Sequence, residues 1–141
     1  MGLEDDLLKV YWHIKGGLIY KEVPIGAISI YDGWSDGSKT RRIDGVRIVD
    51  DSSKNKIYEQ GEYEQQDFYD SVKNKVVEII EIKEKLSRYV FGQTVAGRDM
   101  FEEQFESSNV VISTILCMKG DPAMEWVCEK HGVEVNIISI T

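Results

Sequence analysis

Eight residues, Val76 to Lys83 (VVEIIEIK), constrain the fold more than any other stretch of the chain. An apolar run of this length, ahead of a polar break, reads as a buried strand. Yet Glu81 and Lys83 stand two residues apart, on one face of that strand, and burying charge without compensation is expensive. Three arrangements reconcile the two: a structural ion pair, an edge strand half in water, or a catalytic site.

The flanking sequence supplies the rest of the sheet. Leu3, Leu7, Val10 or Tyr11, and Ile14 recur at steps of three and four, which predicts an amphipathic helix over 3–15 stopped by Gly16 and Gly17. A strand is expected over 22–30, with Pro24 near its start, then a Gly/Asp/Ser loop, then a second strand over 41–50. That strand, RRIDGVRIVD, carries apolar residues on both parities, as expected where helices cover both faces of a sheet. Residues 51–74 are polar and acidic, interleaved with Tyr58, Tyr63, Phe68 and Tyr69, and read as a long loop or insertion. After the 76–83 strand, Ser87 can cap a helix reaching Phe105, in which Gly92 and Gly97 point to a close approach by a backbone or a ligand. A buried strand from Val110, a helix capped by Asp121 and Pro122 and ended by His131-Gly132, and a last strand, VEVNIISI, complete the chain. The expected class is α/β (α+β), with a mixed central sheet of about five strands flanked by helices on both faces.

At 141 residues the chain is expected to be one domain, burying roughly two-thirds of its unfolded surface in one core. Cys117 and Cys128 lack the spacing of a zinc site or a disulfide framework and read as reduced core residues. No apolar run reaches the ~18 residues of a membrane span, and the N-terminus is acidic where a secretory signal is basic, so a cytoplasmic protein without a membrane partner is expected. A formal charge of −8 excludes a general nucleic-acid coat. Any contact with phosphate must be local, through one patch or a metal; Lys39, Arg41, Arg42 and Arg47 form the candidate patch, and Trp34 is a candidate for stacking on a base. His13, His131, Trp12 and Trp126 read as ordinary polar or packing residues.

Asp44 lies in one central strand and Glu81 with Lys83 in the next, so hairpin pairing would bring two carboxylates and an ammonium to one end of the sheet. That set suits a hard cation such as magnesium, which takes one or two carboxylates, keeps several waters and accepts a phosphate. A lysine beside such a water can orient it or help remove its proton. An E-x-K triplet by itself is a short motif, and its context carries the weight.

In that context RRIDGVRI, then EIIEIKEKL, then a helix bearing FGQ resemble the PD-(D/E)XK nuclease superfamily, the restriction-endonuclease-like fold; residues 3–118 repeat its core order of helix, three strands, helix and strand. The resemblance implies roles by position. Asp44 matches the first metal-binding aspartate, Glu81 the carboxylate of the E-x-K motif, Lys83 its lysine, and Ile82 lends a carbonyl to the metal. Glu4 resembles the acidic residue that many members add from the first helix, with Glu22 a second candidate, and Gln93 resembles the glutamine on the following helix. Mg²⁺ or Mn²⁺ is the implied cofactor. No proline precedes Asp44, and Gly97 stands where many members carry a tyrosine, with Arg98 beside it as a candidate phosphate contact. The implied activity is metal-dependent phosphodiester hydrolysis on nucleic acid, DNA favoured, by an endonuclease or nuclease subunit whose target is set by residues 51–74, a homodimer or a protein partner. The other reading is a catalytically silent nuclease-fold module that binds a protein through the acidic, aromatic 51–74 segment.

Overall fold

The computed structural model describes residues 2–26, 34, 37–49, 55–105 and 110–140. Among them are four helices and six strands: α1 (Leu3–Lys15), β1 (Leu18–Ile25), β2 (Arg41–Ile48), β3 (Lys56–Tyr58), α2 (Gln65–Val72), β4 (Val76–Ile82), α3 (Arg88–Gln104), β5 (Val110–Cys117), α4 (Pro122–Lys130) and β6 (Val133–Ile137). The strands form one mixed sheet in the order β3-β1-β2-β4-β5-β6. β1, β2 and β4 pair antiparallel, while β4, β5 and β6 run parallel through helical crossovers, as parallel neighbours must. The mixed sheet with helices on both faces agrees with the class expected from sequence.

Local chemistry accounts for the ends of the elements. α1 carries Glu4, Asp5 and Asp6 in its first turn and His13 and Lys15 in its last, both favourable to the helix dipole. Gly16, at φ 71°, stops it in a conformation that costs other residues more. The chain then enters β1 at Leu18, four residues before the strand expected from Glu22, because two successive glycines turn it straight into the sheet. Residues 27–30, the expected end of that strand, lie outside the described residues. Pro24 is tolerated because β3 pairs only with Leu18, Ile19 and Tyr20, leaving the far flank of β1 open beyond them. Ser87 caps α3 through Val90, and Asp121 caps α4 through Met124.

The reading of 51–74 as a loop is corrected. Lys56–Tyr58 form an edge strand, the sixth, and Gln65–Val72 form a helix whose Phe68 and Val72 are fully buried. Phe68 meets Phe101 and Phe105 edge to face in the main core, and Tyr20 stacks on Tyr58. One helical turn of apolar signal, Phe68 and Val72, is too short to register as periodicity, yet it places an aromatic ring at the centre of the core. Deletion of 55–70 is therefore expected to abolish cooperative thermal unfolding, because it removes an aromatic anchor and an edge strand together.

The two sheet faces have separate cores. Leu7, Leu8 and Tyr11 of α1 pack on Ile19, Ile80, Ile82 and Leu116. On the other face α2 and α3 pack on Val23, Ile43, Val46, Ile48, Val77 and Ile79, and α4 on Ile115 and Val133. Ile43 shares a cluster with Val46 and Ile48 although strict alternation would send it to the opposite face. β1 changes phase in the same place, between Tyr20 and Val23. Glu22 stands at that change with φ 55°, a left-handed conformation that strains a residue with a side chain. The apolar residues on both parities of β2 thus reflect a local twist as well as covered faces.

Candidate active site

The β2/β4 ladder runs from Ile48↔Val77 to Gly45↔Ile80 and stops. At the next position the side chains take over from the ladder. The amide of Ile82 donates to Asp44 Oδ2 at 2.8 Å, and the amide of Asp44 donates to Glu81 Oε1 at 3.4 Å. The sheet forks there, and each strand's carboxyl group is held by the other strand's backbone. The two carboxyl groups are thereby brought close enough to act on each other.

Electrostatics follow from that geometry. Burial, opposed by the Ile82 amide and reinforced by the charges of Glu4 and Glu22, pushes Asp44 up to about 6. Burial first and the Asp44 charge second push Glu81 up to about 9, with Glu22 adding to it. Two carboxyl groups in one site cannot both ionise cheaply, so at neutral pH the pair holds a proton that a cation would displace.

The three arrangements posed by the sequence can now be compared. β4 is central, which removes the edge strand. No ion pair joins Lys83 to Glu81 or Asp44 among the described residues, which removes the structural pair. Lys83 stands between the first turns of α1 and α3: it lines a hollow with Leu3, Glu4 and Asp5, and its ammonium lies 5.8 Å from the Tyr89 ring centroid.

Glu81 opens onto a groove of about 450 Å³ between the sheet and α3, lined also by Arg41, Arg42, Tyr89, Gln93 and Gly97. Gly97 has a local reason to be small: a Cβ there would stand 3.6 Å from Glu81 Oε2, and any larger side chain would fill the space above the carboxylate. Gly92 meets nothing, so the close approach expected of it is absent.

The structure brings together Asp44, Glu81, Ile82 and, along the groove, Gln93. Glu4 is exposed on α1 and reaches the pair through its charge on Asp44. Glu22, opposite Asp44 between the pairs Lys21↔Gly45 and Val23↔Ile43, acts on both carboxyl groups, a position only the strand register discloses. Arg47 leaves the candidate phosphate patch, because its guanidinium is buried against Glu78 at 2.7 Å on the α1 face. Arg98 donates to the His131 carbonyl at the end of α4, and Trp34 donates to Gln104, so neither is placed in the groove. Tyr89 has no sequence signal of its own; an aromatic in a first helical turn gains meaning only from the groove beside it.

Among the described residues no three His, Cys, Asp or Glu side chains converge as a ready cation cage. The donor set present, the buried Glu81 and the half-buried Asp44 beside a backbone strand end, fits a magnesium-type ion, which takes few protein ligands and keeps waters. No helix among the described residues is long and apolar enough to cross a membrane, and Cys117 and Cys128 are free and buried. The chain matches no family model, no curated protein and no solved structure.

Proposed function

We propose that the chain is a metal-dependent nuclease of the PD-(D/E)XK type, hydrolysing phosphodiester bonds of nucleic acid, DNA favoured, in a cytoplasmic setting. The observation that carries the reading is the pairing of Asp44 with the buried Glu81, without an ion-pair partner among the described residues, beside a groove that Arg41 and Arg42 also line. Carboxyl groups whose ionisation is disfavoured by burial and by each other, set beside a groove, are the kind of pair found where a ligand binds.

Asp44, Glu81 and the Ile82 carbonyl would hold a Mg²⁺ or Mn²⁺ ion. When bound, it would supply charge stabilisation for the phosphorane and the leaving oxygen and would acidify a water. Lys83 would orient the attacking water through its ammonium group. Gln93 would offer its amide to a strand lying in the groove, and Arg41 and Arg42 would hold a neighbouring phosphate, positioning the strand without reading its bases. Glu4 and Glu22 keep the site negative, favouring a divalent cation over none.

The test is cleavage of plasmid and single-stranded DNA in Mg²⁺ or Mn²⁺, with Asp44→Ala as control. Cleavage that requires the metal and vanishes in Asp44→Ala supports the reading. Wild-type protein inert on every nucleic acid would favour the interaction module instead, for which the supporting feature is a hollow of about 390 Å³ bounded by Tyr58, Tyr63, Glu62, Asp67 and Asp70.

A further inference from the structure

We infer that Tyr89 is a base-stacking residue that makes this groove select an unpaired nucleotide, so that the substrate class is single-stranded or locally unpaired nucleic acid rather than continuous duplex. The inference rests on the nuclease reading of Asp44 and Glu81 and deepens it.

Tyr89 is 69% exposed, one of the few large side chains of the described surface that is not covered. Its position is nonetheless defined. Ser87 caps α3 two residues earlier, and Val90, the next residue, is fully buried. The first turn of α3 is thereby anchored, and the phenol ring is held out over the groove that Glu81, Gln93, Arg41 and Arg42 line. The Lys83 ammonium lies 5.8 Å from the ring centroid, so the ring adjoins the E-x-K lysine as well as the groove.

A planar ring left in water beside a candidate phosphodiester site offers a surface for stacking. A base stacked on it would cover the exposed ring face, and the groove's two guanidinium groups would take adjoining phosphates. In a duplex each base is already stacked above and below and has no face to offer. An unpaired nucleotide does, and stacking accepts any base, which agrees with a groove that carries phosphate-binding arginines. A chain with net charge −8 gains little from general attraction to phosphate, so a stacking contact would carry a large share of its affinity.

The experiment measures fluorescence anisotropy of a fluorescein-labelled single strand of DNA, the same strand as RNA, and the blunt DNA duplex, at low salt in EDTA, with Mg²⁺-dependent cleavage of the same three followed in parallel. Wild-type protein is expected to prefer a single strand over the duplex, the DNA and RNA arms showing which sugar is accepted. Tyr89→Ala should weaken single-strand binding roughly tenfold and leave duplex binding unchanged, while Tyr89→Phe and Tyr89→Trp retain it. Because the ring is exposed, all three variants should melt as wild type does. Equal single-strand affinity of Tyr89→Ala and wild type, or a wild-type preference for duplex, would overturn the stacking role while Mg²⁺-dependent cleavage still upheld the nuclease. Wild-type protein that neither binds nor cleaves any of the three would overturn both.

Discussion

Glu78 and Glu81 stand three residues apart on β4, both buried, at 2% and 7% exposure, and the protein treats them oppositely. Glu78 faces α1, where Arg47 Nε lies 2.7 Å from one oxygen, while Tyr11 Oη and Thr114 Oγ1 donate to the other at 2.6 and 2.5 Å. Glu81 faces α3 and has Asp44 for company. The first carboxylate is compensated on every side. The second is burdened with a neighbour of its own kind. The contrast separates a carboxylate compensated within the fold from one that is not; under the proposed function the second is kept for a ligand, since the same strand supplies a cation where structure calls for one.

The comparison is broken most severely by removing the compensating cation. Arg47→Ala leaves Glu78 charged and buried, and should cost about 3 to 5 kcal/mol in urea unfolding, enough to leave little folded protein. Stability unchanged within 1 kcal/mol would mean that the two glutamates are not distinct in kind.

Next in size is the effect on the other site. Lys83→Ala removes a group with no ion-pair partner among the described residues, so its melting temperature should stay near wild type. Mg²⁺-dependent cleavage should fall by roughly a hundredfold, the usual weight of a positioned acid-base group. A Lys83→Ala variant that unfolds would return the residue to a structural role.

A smaller effect of opposite sign sharpens the contrast. Glu81→Gln keeps the shape, removes a carboxyl group that the fold holds protonated at a cost beside Asp44 and leaves an amide that can both accept from the Asp44 amide and donate to its carboxylate. In EDTA at pH 8 it should gain about 1 to 2 kcal/mol while losing cleavage, the exchange of stability for activity expected of a site under strain. A loss of stability would show that Glu81 is itself structural.

The contrast also has a pH dependence in the metal-free protein. Asp44 and Glu81 have folded pKa values above their ordinary 3.8 and 4.5, so the folded chain holds protons that the unfolded chain has released. Their contribution to stability is fully present below pH 4 and is lost as pH rises through about 6 for Asp44 and about 9 for Glu81. In EDTA, melting temperature should therefore decline from pH 5 to pH 9, and Mg²⁺ should reverse the decline most at the alkaline end. Asp44→Asn should flatten the slope. A slope identical in wild type and Asp44→Asn would place the titration elsewhere.

Much of the candidate site was legible in the chain. Asp44 lies in one apolar strand and Glu81 in a later one, so antiparallel pairing of the two was expected to bring them to one sheet end, as the register Gly45↔Ile80 does. Glu22 was less legible than Glu4, because nothing local shows that it stands opposite Asp44. Glu78 and Arg47 gave no sign of being partners: a charged residue in a strand looks the same whether a cation waits across the ladder or not. Tyr89 and the 65–72 helix were missed for a related reason. Each is a short local signal whose meaning depends on what packs beside it.

Helix ends and element order were determined by the sequence, since Gly16, Ser87, Asp121, Pro122 and Gly132 act on the backbone within a turn of themselves. The class of the fold followed, because apolar strands at these spacings must share a sheet covered on both faces. Only the tertiary structure decided which buried charge is paired and which is not. That choice depends on strand register and on a change of face at Glu22 and Asp44, and a shift of one residue would send every side chain of a strand to the opposite side. Pairing across the sheet joins residues 31 to 37 positions apart, as in Arg47 with Glu78 and Asp44 with Glu81, and at that separation no local preference acts: the energy of contact, realised only once the core has closed, is what places them.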